Sequence, residues 1–300
     1  MVTIAMYSYK GGTGKTKTAF NMAGFLAAEH KAKVLIIDAD GQANITSFFL
    51  FNEFEENNGF EYLRDEVTIE DLFLNPKDVN KAIRHATIKL RESSNAKKKG
   101  IDIIPVKPPS LNGCLHLENI NSTMAAEAAQ KDNPIKAIKP GCIKDALSYI
   151  RRTKNHPYDY DYCIIDLHGD DDYASREFIA AADYILSPMT CDYGAIDGVR
   201  SINTSMLKKL KSSYNTKVKL IGEFFSNVDI NATFDRDMME QVKNMPGFID
   251  CAIRHSQDAK LSTENNIPIA FNRRTSATAQ DYRQLTQIVV DRIKADKEGR

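Results

Sequence analysis

Short β-rich apolar runs alternate with longer helical patterns, which predicts an α/β fold: a doubly wound, mainly parallel sheet with helices on both faces. Three observations carry this expectation. Runs such as VLII (Val34–Ile37) and YCII (Tyr162–Ile165) are apolar on both faces, as central strands of a helix-covered parallel sheet must be. Such runs recur along the chain with helical stretches between them, which calls for right-handed crossovers. The first of them enters a glycine-rich turn that opens a helix, and ligands in such folds bind at the carboxyl ends of the strands.

In chain order, the expected strands are Val2–Tyr7, Lys33–Ile37, Ile101–Ile104, Tyr162–Ile165, Tyr184–Ser187 and Val218–Phe225. The helix after the first strand is marked by Thr18, Ala19, Met22, Phe25 and Leu26 at helical spacing. Tyr282, Leu285, Ile288, Val289 and Ile293 form an apolar stripe on the last helix, whose other face mixes Arg283 and Arg292 with Gln284, Gln287 and Asp291. A stripe of this kind packs against the domain. The segment from about Arg91 to Pro140 holds the run Lys97–Lys99, the KPP of Lys107–Pro109 and several Asn and Ser. It reads as an irregular surface elaboration with one strand and a short helix near Met124–Gln130. The whole chain, residues 1–300, is therefore expected to be a single domain, with no internal repeat.

Composition bounds the function classes. Of 300 residues, 42% are hydrophobic and 27% charged, close to the globular average, which excludes a disordered tail protein, a collagen and a disulfide-dense miniprotein. Forty basic against forty acidic residues leave no net charge, so any nucleic-acid contact must come from a local patch. The five cysteines, Cys114, Cys142, Cys163, Cys191 and Cys251, are scattered without a CxxC pair and read as reduced thiols in a cytosolic setting. No run reaches the length of a membrane span, the N-terminus does not read as a signal peptide, and KADKEGR is no lipidation box.

The segment Tyr9-Lys10-Gly11-Gly12-Thr13-Gly14-Lys15-Thr16 lies between the first strand and the first helix. Its glycines let backbone N–H groups turn inward around phosphate oxygens, and the helix N-terminus adds positive potential. Lys15 is placed to reach the β- and γ-phosphates of ATP, and the Thr16 hydroxyl to ligate Mg²⁺. The ordinary GxxxxGK[ST] pattern fails at Tyr9, and Lys10 followed by Gly-Gly stands in its place.

KGGTGKT resembles the deviant P-loop of the ParA/MinD family of ATPases, nearest to ParA (Soj-like) partition ATPases. The resemblance implies that Lys10 acts across a dimer interface on the partner's nucleotide, a cationic device worth about 10³–10⁵ in rate in other phosphoryl-transfer enzymes. The family's second Thr is replaced by Lys17, so its hydroxyl contact with the α-phosphate is lost while the backbone N–H remains. Asp38-Ala39-Asp40-Gly41-Gln42-Ala43-Asn44 resembles the family's DxDPQGN: Asp40 then orients the attacking water and Asp38 sits near Mg²⁺. Cys163-Ile164-Ile165-Asp166 is an apolar strand ending in an acid, a Walker B pattern in which Asp166 holds a Mg²⁺-bound water. His168-Gly169 and Asp170–Asp172 replace the family's switch prolines, and His168 reads as a loop residue. No Cys follows Asp166 closely, which discards the iron–sulfur chemistry of the nitrogenase iron protein, a relative in fold.

Resemblance continues through Ala182–Pro188, Asp192–Gly198 and Phe224–Asn227, where Asn227 falls at the family's adenine-reading position. Ile253-Arg254, Lys260–Glu264 and Ala279–Leu285 resemble the ParA tail. By position, Lys243, Lys260, Arg273 and Arg274 are the candidate DNA contacts. The chain starts almost on its first strand, so no N-terminal helix-turn-helix and no sequence-specific DNA recognition are expected.

The resemblance thus implies a weak, Mg²⁺-dependent, partner-stimulated ATP hydrolase. As a cytoplasmic, nucleoid-associated homodimer it would bind DNA without sequence preference and answer to a ParB-like partner. The competing readings are a MinD-type membrane-cycling ATPase, a carrier positioning another cargo, and a nucleotide-binding regulator with little turnover. Stable membrane insertion is not expected.

Overall fold

The computed structural model describes residues 1–51, 54, 59–86, 100–111, 120, 122, 140–152, 159–192, 194, 207–214 and 217–299. The strands are β1 (Val2–Met6), β2 (Val34–Ala39), β3 (Arg84–His85), β4 (Ile101–Ile104), β5 (Tyr162–Leu167), β6 (Tyr184–Met189), β7 (Lys219–Val228) and β8 (Phe248–Arg254). They form one sheet in the order β3-β4-β2-β5-β1-β6-β7-β8. Every pairing is parallel except β3 with β4. The helices are α1 (Lys15–Ala28), α2 (Asn44–Phe49), α3 (Val79–Ala82), α4 (Cys142–Ser148), α5 (Tyr173–Ala181), α6 (Leu207–Tyr214), α7 (Thr233–Val242), α8 (Gln257–Glu264), α9 (Ile269–Asn272) and α10 (Ala277–Lys297).

Alternation along the strands divides the core in two. Ile4, Met6, Val34, Ile36, Ile164 and Leu186 face α1 and α10. Ala5, Leu35, Ile37, Cys163, Ile165 and Ile185 face the other layer, where α4 and α5 pack. The doubly apolar runs of the sequence are thus explained by a sheet covered on both sides. The stripe on α10 is consumed in the same way: Tyr282, Leu285, Val289 and Ile293 are buried against α1 and β8, with Ile288 packed on their edge.

Two strands lay outside the sequence expectation. β3 is a two-residue antiparallel edge. β8 is the opposite edge, and its interrupted burial gives no sustained apolar run to read. β7 runs to Val228, beyond the expected Phe225, and so carries Ser226 and Asn227 within the strand. Within 91–140, β4 falls at the expected Ile101–Ile104. The helix expected near Met124–Gln130 and Cys114 lie outside the described residues. Cys142, Cys163, Cys191 and Cys251 are free thiols.

Order reverses around β1, flanked by β5 and β6, while β2 lies beyond β5. That switch point places the carboxyl ends of β1, β2 and β5 side by side, with Asp38 in register with Asp166 and Asp166 with Met6.

One buried group carries a stability cost. Glu223 on β7 is fully buried, and among the described residues neither carboxylate oxygen has a hydrogen-bond partner; the Ser187 hydroxyl, on its β6 register partner, has none there either. Burial pushes its carboxyl from 4.5 up to about 7. Because the folded value lies above the unfolded one, the protonated form favours folding. Stability falls as pH rises from about 4.5 to about 7, by about 3 kcal/mol in all. Glu223→Gln is therefore expected to gain about 2 kcal/mol over the parent between about pH 5 and pH 8, read from urea midpoints at both pH values. A difference that does not change with pH refutes this account.

Candidate functional site

The loop after β1 wraps onto itself before α1 begins. Ser8 Oγ lies 2.6 Å from Thr13 Oγ1 and donates to the Lys10 carbonyl at 3.2 Å. Gly14, the residue before α1, is left-handed at φ +83°, and a Cβ there would lie 2.6 Å from Ser226 Oγ. The Ser226 hydroxyl instead donates to the Thr13 carbonyl and ties β7 to the loop. Glycine is thus required twice over at position 14, by conformation and by close approach.

A cleft of about 940 Å³ opens over this loop, lined by Gly11–Lys17, Asp40, Asn44, His168, Gly169, Ser226, Asn227 and the start of α8. Lys15 is buried, and its ammonium donates to the Lys10 carbonyl at 3.2 Å and to Ser8 Oγ at 3.5 Å. Desolvation lowers its pKa, while Asp166, Asp40 and Asp170 pull the other way. Lys10 does not line the cleft of its own chain. Its side chain is 54% exposed, and its ammonium is bound to Asp192 Oδ1 at 2.6 Å. Asp192 is held in turn by Thr190 Oγ1 and the Gly194 N–H.

The three aspartates divide their work. Asp38, fully buried, accepts the Thr46 N–H at 2.8 Å and the Asp40 N–H at 3.2 Å, and desolvation pushes its carboxyl up to about 7. It braces the turn that carries Asp40. Asp40 lies on the cleft wall, where Oδ1 accepts the Gln42 N–H at 3.0 Å and Oδ2 has no partner among the described residues. Asp166 is fully buried, with neither oxygen in a geometric hydrogen bond among the described residues, and the Thr16 hydroxyl is close enough to act on its carboxyl. Desolvation first, then Asp38, holds its carboxyl well above the usual range.

An orphaned buried carboxyl beside a hydroxyl is costly alone and suits a hard divalent cation that takes oxygen ligands. Thr16 and Asp166 therefore fit Mg²⁺. Asp38, named with them from sequence, has its oxygens occupied by backbone N–H groups.

His168, read from sequence as a loop residue, does sit in the loop after β5 but also lines the cleft. Its Nε2 lies 3.0 Å from Asp172 Oδ2, and its Nδ1 lies 3.3 Å from both the Asp170 N–H and Ser175 Oγ. With both ring nitrogens engaged it works as a brace: Asp172 also accepts the Ser175 N–H as the cap of α5. A Cβ on Gly169 would stand 3.2 Å from the Ser8 carbonyl, so glycine lets this loop press on the phosphate loop.

Asn227, left-handed at φ +60°, lines the cleft with Oδ1 2.8 Å from His255 Nδ1. His255, from the end of β8, went unnoticed in sequence because that strand was not expected. Lys260 lines the cleft wall and lies 3.5 Å from Glu264. Lys243 pairs with Glu240 at 3.7 Å and Arg273 with Asp258 at 2.6 Å. Arg274 donates to the Ala270 carbonyl and has no carboxylate within 4 Å among the described residues.

A family model described as an AAA domain matches residues 1–220. The chain belongs to that family. The Treponema pallidum chromosome-partitioning ATPase Soj is 22% identical over 292 residues, covering 97% of each chain. A solved structure of a Borrelia burgdorferi plasmid partition protein bound to AMPPNP superposes with a TM-score of 0.67 at 21% identity, over 98% of this chain and 99% of that one. A Mycobacterium smegmatis cobyrinic acid a,c-diamide synthase with ADP and magnesium gives 0.67 at 18% identity, over 100% of this chain and 97% of that one. Loop, sheet and relatives together make this AAA-domain protein a P-loop ATPase of the ParA/MinD type. Among the described residues, no helix of this ATPase is long and apolar enough to cross a membrane.

Proposed function

We propose that this ATPase moves DNA as a ParA-type partition motor: ATP joins two copies into a sandwich dimer, the dimer binds DNA without sequence preference, and hydrolysis stimulated by a ParB-like partner releases it. The observation that carries the reading is the position of Lys10. It belongs to the phosphate loop, yet its ammonium stands outside its own cleft on an exposed ion pair. Exposed pairs of this kind contribute about 0–1 kcal/mol, so leaving Asp192 for a partner's nucleotide costs little.

Each residue then has a task. The loop N–H groups and Lys15 bind the phosphates, and Thr16 and Asp166 hold Mg²⁺. The cation, when bound, neutralises charge on the phosphates. Asp40 aligns the attacking water through its unpaired oxygen, while Asp38 and His168 fix the two loops that face the terminal phosphate. Asn227 and His255 meet the base. Phosphoryl transfer asks for alignment and electrostatics more than covalent help, and this set provides both.

Binding of duplex DNA across a salt series, with turnover measured with and without DNA, tests the reading. Among the four basic residues named from sequence, Arg274 is the one with no carboxylate within 4 Å among the described residues, and it is the expected phosphate contact. One contact per subunit means that Arg274→Ala flattens the slope of log K against log[salt] by about 1.8 for the dimer. Unchanged affinity and slope remove Arg274 from the interface. Binding to anionic vesicles in place of DNA transfers the reading to a membrane-cycling ATPase, against which the packed stripe of α10 already argues. Nucleotide binding without turnover leaves a regulator.

A further inference from the structure

Asp40 stands in a turn that three separate elements hold. The turn closes on itself, since the Ala43 N–H donates to the Asp40 carbonyl at 2.9 Å. α2 begins directly after it, on a left-handed Ala43 (φ +55°) that offers no side-chain cap. Asp38 supplies the missing cap from the end of β2: its Oδ2 accepts the Thr46 N–H, in the first turn of α2, at 2.8 Å, and its Oδ1 accepts the Asp40 N–H at 3.2 Å. The third element is the exit of β4. There the buried Val106 donates its N–H to Thr46 Oγ1 at 3.2 Å.

The exit of β4 is a firm anchor because the residues beside Val106 are tied as well. The Pro105 carbonyl accepts the Ile69 N–H at 2.9 Å, and the Lys107 N–H donates to Glu70 Oε1 at 2.9 Å. A threonine hydroxyl has one proton and two lone pairs. With one lone pair given to Val106, the proton is left for the Asp38 carboxyl, on which the hydroxyl is close enough to act. Thr46 is fully buried, and neither it nor Asp38 lines the cleft. It meets the site only through the turn that it holds. Val106 belongs to the irregular 91–140 segment, which thereby gains a part in the site.

Resting on the reading of Asp40 as the carboxylate that aligns the attacking water, we infer that Thr46 is a positioning residue for hydrolysis: its hydroxyl locks the Asp38–Asp40 turn to the exit of β4 and so keeps Asp40 in line with the water. Misplacing an aligning group by about 1 Å can cost about 10²-fold in rate. Loss of the hydroxyl therefore falls on kcat. Nucleotide affinity is spared, because Lys15 and the phosphate loop lie between β1 and α1, outside this chain of hydrogen bonds.

Turnover at saturating ATP, with ADP affinity and urea midpoints measured alongside, compares the parent with three variants. Thr46→Val keeps the shape and loses the hydroxyl, Thr46→Ala loses it with no added bulk, and Thr46→Ser keeps it. Thr46→Val is expected to lose about 10- to 100-fold in kcat, with ADP affinity within about twofold of the parent. Thr46→Ala behaves likewise, and Thr46→Ser recovers to within about threefold of the parental kcat. Both hydroxyl-free variants also lose stability, because the buried Val106 N–H is left without its acceptor. A merely structural role stops there: a lowered urea midpoint with parental kcat overturns the inference. So does a loss of ADP affinity that matches the loss in kcat, and so does Thr46→Ser as slow as Thr46→Val. In the Asp40→Ala background Thr46→Val is expected to cost no further turnover, since the group it positions is gone, and a full further loss there overturns the inference too. Parental turnover by Asp40→Ala alone refutes the reading of Asp40 itself, and the inference with it.

Discussion

Asp40→Ala is expected to lower ATP turnover by about 10²–10⁴-fold, the range for loss of a group that aligns and relieves the attacking nucleophile of its proton. ATP and Mg²⁺ binding should persist, because Lys15, Thr16 and Asp166 are untouched, and the ATP-bound dimer should accumulate. Asp40 is the cleft carboxylate with an oxygen to spare: Oδ1 is taken by the Gln42 N–H and Oδ2 is unpartnered among the described residues. Asp38 cannot take over, since its oxygens hold the Thr46 and Asp40 N–H groups. His168 cannot either while its ring nitrogens are bound to Asp172, Asp170 and Ser175. Single-turnover hydrolysis with saturating ATP is the measurement. A variant that hydrolyses at the parental rate would assign the water to another group.

The contrast between Asp38 and Asp40 shows what a sequence can and cannot say here. The strand-ending DxD was legible, because an apolar run that stops at acids marks the carboxyl end of a buried strand. Which acid faces ligand and which faces backbone was not, because that depends on Thr46, which reaches back from α2. The glycine-rich turn between β1 and α1 was legible, since Gly12 and Gly14 act through local backbone geometry. β8 was missed because an edge strand needs one covered face and interrupts its apolar run, and with it went His255, which meets Asn227 only when β7 and β8 pair. Lys260 could be aligned by position but not located: one turn into α8 it lies on the cleft wall, while Lys243, Arg273 and Arg274 do not. Charge in a sequence shows that a cation is present, and the neighbouring carboxylates decide whether it is free to bind.

Removing one or the other loop lysine should separate two functions that share a single motif. Lys15→Ala is expected to abolish measurable ATP affinity in the isolated chain, because the buried ammonium is the charge inside the loop, 3.2 Å from the Lys10 carbonyl. Lys10→Ala removes a side chain that lies outside its own cleft and is paired with Asp192 at 2.6 Å, so ATP affinity of the single subunit should stay within about twofold of the parent. Its cost should instead fall on events that need two subunits. The ATP-dependent dimer should not form, and turnover should drop by about 10³–10⁵-fold, the worth of a cation delivered in trans to a transferring phosphoryl group. Nucleotide titrations of both variants, sedimentation with a non-hydrolysable analogue, and steady-state turnover read the three quantities separately. Mixing Lys10→Ala with Asp40→Ala sharpens the test. In a mixed dimer, the subunit that keeps Asp40 receives Lys10 from the Asp40→Ala partner, so one intact composite site should restore part of the activity that neither variant shows alone. Equal loss of ATP affinity in the two lysine variants, or no recovery on mixing, would place Lys10 in its own subunit's site and end the trans assignment.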